Sequence, residues 1–136
     1  NTGKFMTDPI GTDIMSRVGN DENLHYLFYR DLTAAALEVD PSSTVMGIER
    51  AVRTFSMPGL GIPDFDRLSK EIAKAGIYDL QIHHDQILDP VIMRHWKLES
   101  VTGLSDEAEA ARDSLFKRMA RLAKVGKRMA SGHATV

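Results

Sequence analysis

The residues with the clearest chemical potential are Asp21-Glu22-Asn23-Leu24-His25. In a helix, Glu22 and His25 stand three positions apart, so both side chains leave one face about one turn apart. Helical bundles use this Glu-x-x-His spacing to hold carboxylate-bridged di-iron or di-manganese centres, the carboxylate spanning two ions and the imidazole binding one. The same spacing also suits a plain hydrogen-bonded surface pair. Leu24, Leu27 and Phe28 give the pair apolar company. Zinc proteolysis is excluded, because that motif needs two histidines four apart and position 29 is Tyr29.

A second group, His83-His84-Asp85 with His95 farther on, holds metal-ligand types, but Pro90 between them should interrupt the helix that would align them. It reads as exposed helix surface. Gly59-Leu60-Gly61, between two prolines, is too short for a phosphate loop, and no serine elbow or dinucleotide fingerprint occurs. Seven methionines, with Phe55, Met57 and Phe65 near a Pro-Gly loop, could line an apolar pocket for a flexible chain or simply form core. The absence of cysteine excludes disulfides, zinc ribbons, iron–sulfur clusters and thiol nucleophiles.

The elements that must position these residues are helical throughout. Asp8-Pro9 is a cap acid followed by proline at the first helical position, and apolar residues recur at helical spacing from Ile14 to Ala36. The spacing predicts one helix over 9–38, about 45 Å long at 1.5 Å per residue. Asp40-Pro41 repeats the signal for a second helix, closed by Met57-Pro58-Gly59. The stretch 58–63 is a loop, 64–75 a short amphipathic helix ending at Gly76, and Asp79 caps a segment that Pro90 should kink or break before Trp96. Ser105 starts the last helix, and residues 129–136 read as a frayed tail. No strand alternation or internal repeat is present.

The 136 residues form one domain by size, with 43% hydrophobic and 26% charged residues. The net charge of -2 is unevenly spread, since Arg112 to Arg128 holds seven of the 17 basic residues and one acid, Asp113. That stretch could be a solvated helix face or could meet an acidic partner, an anionic surface or a nucleic acid. No apolar run approaches the roughly 20 residues of a membrane span, and the first eight residues lack signal-peptide character, so a cytoplasmic setting is the expectation.

Taken in order, Asp21-Glu22-Asn23-Leu24-His25, Phe28-Tyr29-Arg30-Asp31, Val39-Asp40-Pro41, Ser56-Met57-Pro58, Gly76-Ile77-Tyr78 and Arg94-His95-Trp96-Lys97 followed by Leu104 resemble the C-terminal half of the soluble acyl-carrier-protein desaturases. The similarity is strongest to the actinobacterial branch of mycobacterial DesA type and extends from Asn1 to about Leu122. It implies an all-α, ferritin-like helical bundle. It also implies a di-iron enzyme that uses dioxygen and two electrons, usually from ferredoxin, to place a cis double bond in an acyl chain held on acyl carrier protein. A homodimer is the expected assembly, with no nucleic-acid partner.

Carried over by position, Glu22 matches the carboxylate that bridges the irons and His25 a ligand of one iron. Asp21 matches an acid that orients a ligand histidine and fixes its tautomer. Met57 and Pro58 match the deep end of the acyl channel, Phe65 a wall residue, and Asp66 a position at the mouth facing the carrier. Arg67, Lys70 and Lys74 beside Asp66 would steer an acidic carrier. The loop between Pro58 and Phe65 is shorter than in plant members, and Asn23 and Leu24 replace basic residues of the plant motif. The family builds its centre from four carboxylates and two histidines on four helices. Of that set the resemblance places one glutamate and one histidine here, so the expectation is the C-terminal portion of a single desaturase domain, catalytically silent alone. In that portion 1–6 is the end of a preceding helix, 9–38 the ligand helix and 41–125 peripheral helices. The competing expectations are a non-catalytic helical interaction module and a ferritin-like oxidase of another substrate.

Overall fold

The computed structural model describes residues 2–56, 59 and 61–133, except the side chains of 130, 132 and 133. Every regular element among the described residues is helical. After a 3-10 turn at Thr2–Phe5, α1 runs over Pro9–Val39, capped by Asp8, whose carboxylate accepts from the Gly11 N–H. One residue, Asp40, separates it from α2, Pro41–Thr54. Asp40 ends one helix and starts the next: its N–H donates to Ala36 O, and its carboxylate accepts from the Ser43 N–H at 3.0 Å. The two cap-plus-proline signals therefore act as the sequence pattern requires.

Helix α3 spans Phe65–Lys74. Helix α4 begins with Leu80–His83, capped by Asp79, and continues as a π-helical stretch, His84–His95. Of the kink or break expected at Pro90, the break does not occur: the chain stays helical through it, in π geometry. Proline lacks an N–H and its ring crowds the carbonyl four residues earlier; widening the ladder to five-residue spacing accommodates both defects. The ladder ends with the Trp96 N–H on Val91 O at 2.8 Å. A 3-10 turn at Leu98–Ser100 leads to α5, Asp106–His133, which runs past the point where the frayed tail was expected.

Helices α2, α4 and α5 share the core: Val45, Ile48, Leu88, Ile92, Leu115 and Met119 are buried together with Leu98. Gly126 lets α5 approach the start of α4, because a Cβ there would lie 2.8 Å from the Gln81 backbone nitrogen. Arg112 fastens the connecting turn by donating to Val101 O at 2.7 Å and pairing with Glu109. By contrast α1 has no buried residue among its 31, and Ile10, Ile14, Leu24, Phe28 and Leu32 are exposed. Its apolar stripe is thus a helix face that the body leaves largely uncovered. None of the described helices is long and apolar enough to cross a membrane.

Candidate metal and substrate sites

Glu22 and His25 share a face of α1, as their spacing requires, with Glu22 Oε2 3.6 Å from His25 Nδ1. Both side chains are open to solvent, 72% and 68% exposed, which leaves their lone pairs available. A carboxylate and an imidazole suit a divalent first-row metal by donor type. Two donors are not a complete set, however, and among the described residues no group of three or more His, Cys, Asp or Glu is placed to hold an ion. The chain therefore fits a di-iron centre as the contribution of one helix. Asp21 is exposed beside the pair, and among the described residues it forms no hydrogen bond to a histidine.

Of the second group, Asp85 and His95 are exposed as expected, His84 is partly buried and His83 is not on the surface. His83 is buried, 7% exposed, with the Tyr78 hydroxyl 2.7 Å from Nδ1 and the Phe55 ring stacked at 4.8 Å. Burial, with neighbouring His84, pushes its pKa below the usual imidazole value. His84 instead pairs with Asp85 at 2.6 Å, and that contact, with Gln81, holds the Asp85 carboxyl below its usual range. His95 has turned to α1, its Nε2 3.5 Å from Asp31 Oδ1. The continuous α4 distributes these groups among three different neighbours, so they do not converge on one ion.

Of the channel residues, Met57 and Pro58 lie outside the described residues. Phe65 is half-buried at the start of α3, and its ring lies against the Gly59 backbone so closely that a Cβ there would sit 2.1 Å from a ring carbon. Glycine at 59 is therefore what admits the Phe65 ring to the loop. Asp66 and Arg67 sit on the rim of a small hollow with Ile62 and Asp64. Arg67 faces Asp64 at 3.8 Å and Lys74 pairs with Glu71 at 3.3 Å, while Lys70 is exposed. The three bases of this segment are thus matched by Asp64, Asp66 and Glu71, and its face is mixed in sign. Among the described residues, the bases of α5 from Lys117 to Arg128 come within 4 Å of no carboxylate, and Lys127 acts on Asp85 from a greater distance.

An apolar groove of about 570 Å³ runs between α1, α2 and α4, lined by Tyr29, Leu32, Ile48, Val52, Val91 and Trp96 among others. Sequence reading missed it because its walls come from three helices and each residue alone reads as core. Across one end, the Trp96 indole N–H donates to Arg30 O at 2.9 Å.

The fatty acid desaturase family model matches residues 1–135. An acyl-[acyl-carrier-protein] desaturase named DesA1 from Mycobacterium tuberculosis is 36% identical over 115 residues, 85% of this chain and 34% of that protein. A chloroplastic acyl-[acyl-carrier-protein] desaturase from Cucumis sativus is 33% identical over 122 residues, 85% of this chain and 30% of its own. A chloroplastic stearoyl-[acyl-carrier-protein] 9-desaturase from Brassica napus is 31% identical with the same coverage. The chain thus spans about a third of the length of these relatives. No solved structure matches it. An all-helical chain that presents a Glu-x-x-His pair on a long helix and matches the family model from end to end belongs to the fatty acid desaturase family.

Proposed function

We propose that these 136 residues act as the C-terminal portion of a ferritin-like acyl-[acyl-carrier-protein] desaturase that introduces a cis double bond into a carrier-bound fatty acyl chain. The observation that carries the reading is the Glu22–His25 pair, side by side on α1 and open to solvent, in a chain of this family. When bound, two iron ions would supply the oxidising power drawn from dioxygen and two electrons, with a donor such as ferredoxin. Glu22 would offer a bridging carboxylate and His25 a single nitrogen, while Asp21 would orient a ligand histidine from another helix. Met57, Pro58 and Phe65 would bound the far end of the acyl channel and exclude water from it. Asp66, with Arg67, Lys70 and Lys74, would meet the carrier protein at the channel mouth. The assembly would be a dimer in the cytoplasm.

Two groups cannot enclose a pair of metal ions, so the ligand helices that complete the centre must come from outside these residues. Iron(II) titrated anaerobically into the chain alone, followed by oxygen, should give no stable charge-transfer absorption and no acyl product. Supplying the N-terminal two-thirds of a DesA-type relative should restore both, and Glu22→Gln or His25→Gln should remove them. Activity of the isolated chain, or activity indifferent to those substitutions, overturns the reading. The uncovered apolar stripe of α1 favours one other reading, a non-catalytic helical interaction module. That reading requires self-association or complex formation with no response to iron.

A further inference from the structure

Helix α1 is an arm. It is joined to the body at Asp40, packs no fully buried residue, and sends only Leu37 near that corner against the core cluster. At 1.5 Å per residue, Glu22 lies about 27 Å from the corner, so a tilt of roughly 10° there would carry the pair about 5 Å. Metal ligands tolerate displacements on the order of 0.2 Å. Something between the corner and the pair must therefore fix the arm if the pair is to meet ligands from other helices.

About halfway between the corner and the pair, at Arg30 and Asp31, the end of α4 grips the arm at two points. The Trp96 indole N–H donates to the Arg30 carbonyl at 2.9 Å, and His95 Nε2 stands 3.5 Å from the Asp31 carboxylate. One contact is to backbone and the other to a side chain on the next residue, so together they resist both sliding and rotation of α1 about its axis. Arg30 braces the grip: its Nε donates to Asp31 Oδ1 at 2.8 Å while its guanidinium lies over Tyr26, the residue after His25, at 5.7 Å. Trp96 is itself held from behind, half-buried against the core with its backbone N–H on Val91 O. His95 and Trp96 stand at the end of the π-helical stretch of α4, the last residue and its C-cap.

We propose that Trp96, assisted by His95 through Asp31, is a positioning residue for the metal-ligand helix: it fixes the angle and rotation of α1 and so the direction in which Glu22 and His25 point. The proposal rests on the ligand reading above for its purpose, but its geometry is testable without metal. The clamp should not alter local metal affinity, because both ligands ride on one helix; it should alter where they are held relative to the body.

Trp96 is the sole tryptophan and the chain has no cysteine, so both can be exploited in the full 136-residue chain. Biosynthetic replacement of the indole by its benzothiophene analogue keeps the ring shape and removes the N–H, while 4-fluorotryptophan keeps the N–H as a rescue control. Nitroxide labels at Ser16→Cys and Lys117→Cys report the arm against the body, and a pair at Arg50→Cys and Lys124→Cys reports the body alone. The expected result is a distance distribution across the first pair at least twice as wide in the benzothiophene protein, restored by 4-fluorotryptophan, with the second pair and the helical circular dichroism unchanged. An unchanged first distribution, or widening of both pairs together, overturns the proposal. The ligand reading is decided separately, by the iron-dependent absorption and acyl product of the chain combined with the N-terminal two-thirds of a DesA-type relative: failure there removes the ligand reading and leaves the distances to decide the clamp.

Discussion

The Tyr78 hydroxyl lies 2.7 Å from Nδ1 of His83, inside the junction of α4 with the end of α2. The two groups share one hydrogen bond in a buried site where Phe55 stacks on the imidazole at 4.8 Å, surroundings that disfavour the charged ring. Burial depresses the His83 pKa, and His84 adds to the effect. The unfolded chain takes up a proton on this histidine near pH 6.5, whereas the folded chain resists until lower pH. Between those values the unfolded state binds more protons, so folding stability is present above about pH 6.5 and is lost as pH falls from there through the folded pKa. Chemical denaturation at pH 7.5 and pH 5 should show a lower midpoint at pH 5, and His83→Gln should flatten that difference. Equal slopes for the two proteins would show that His83 does not carry it.

Gly126 and Gly47 both sit inside helices, yet alanine should act oppositely at the two. Removing a helical glycine relieves roughly 0.5–1 kcal/mol of backbone entropy cost. At Gly47 an added Cβ meets nothing within 4 Å, so Gly47→Ala should raise stability by up to that amount. At Gly126 the Cβ would meet the Gln81 nitrogen at 2.8 Å and its Cα at 2.9 Å, backbone atoms that cannot rotate away. Gly126→Ala must then push α5 from α4, and overpacking of that kind costs about 1–3 kcal/mol. Thermal or urea midpoints of the two variants should move in opposite directions.

The helices were legible because their signals are local. Asp8-Pro9 and Asp40-Pro41 each place a cap acid and a preset φ side by side, and both helices start there. The Glu22–His25 face was legible for the same reason, since three-residue spacing fixes it once α1 is a helix. Pro90 does not end the helix, because its local rule, a break in the α ladder, gives way to a wider π ladder over a stretch that buries Leu88, Val91 and Ile92. His83 was read as surface because its burial depends on Phe55 and Tyr78, from two other segments. The Trp96–Arg30 bond joins positions 66 apart, a separation at which no spacing rule operates.

Because Glu22 and His25 are largely exposed and pack against nothing that folding needs, their substitution should be nearly silent for stability. Glu22→Gln and His25→Gln should each leave the unfolding midpoint within about 0.5 kcal/mol of the starting chain, the usual range for surface positions. In the complex with the N-terminal two-thirds of a DesA-type relative the same changes should abolish iron-dependent absorption and acyl product. A large loss of stability in the chain alone would identify the pair as structural and remove the reason for assigning it to metal.

Leu115 presents the reverse case. It is fully buried, 0% exposed, at the point where α5 meets Val45 and Ile48 of α2 and Leu88 and Ile92 of α4. Leucine-to-alanine changes in cores cost about 2–5 kcal/mol, because the lost transfer free energy adds to the cavity left behind. With α1 excluded from the core, three helices hold the body together, and total domain stabilities are only about 5–15 kcal/mol. Leu115→Ala should therefore consume much of the margin, lowering the urea midpoint steeply or leaving the chain without a cooperative transition. Leu24→Ala, which removes an equally large side chain from the exposed stripe of α1, should shift the same midpoint little in the isolated chain. In the complex with the completing helices it should weaken association, which sedimentation or light scattering would read. If Leu24→Ala instead proved as damaging as Leu115→Ala in the isolated chain, α1 would have to be packed against the body, and neither an arm nor a clamp would describe it.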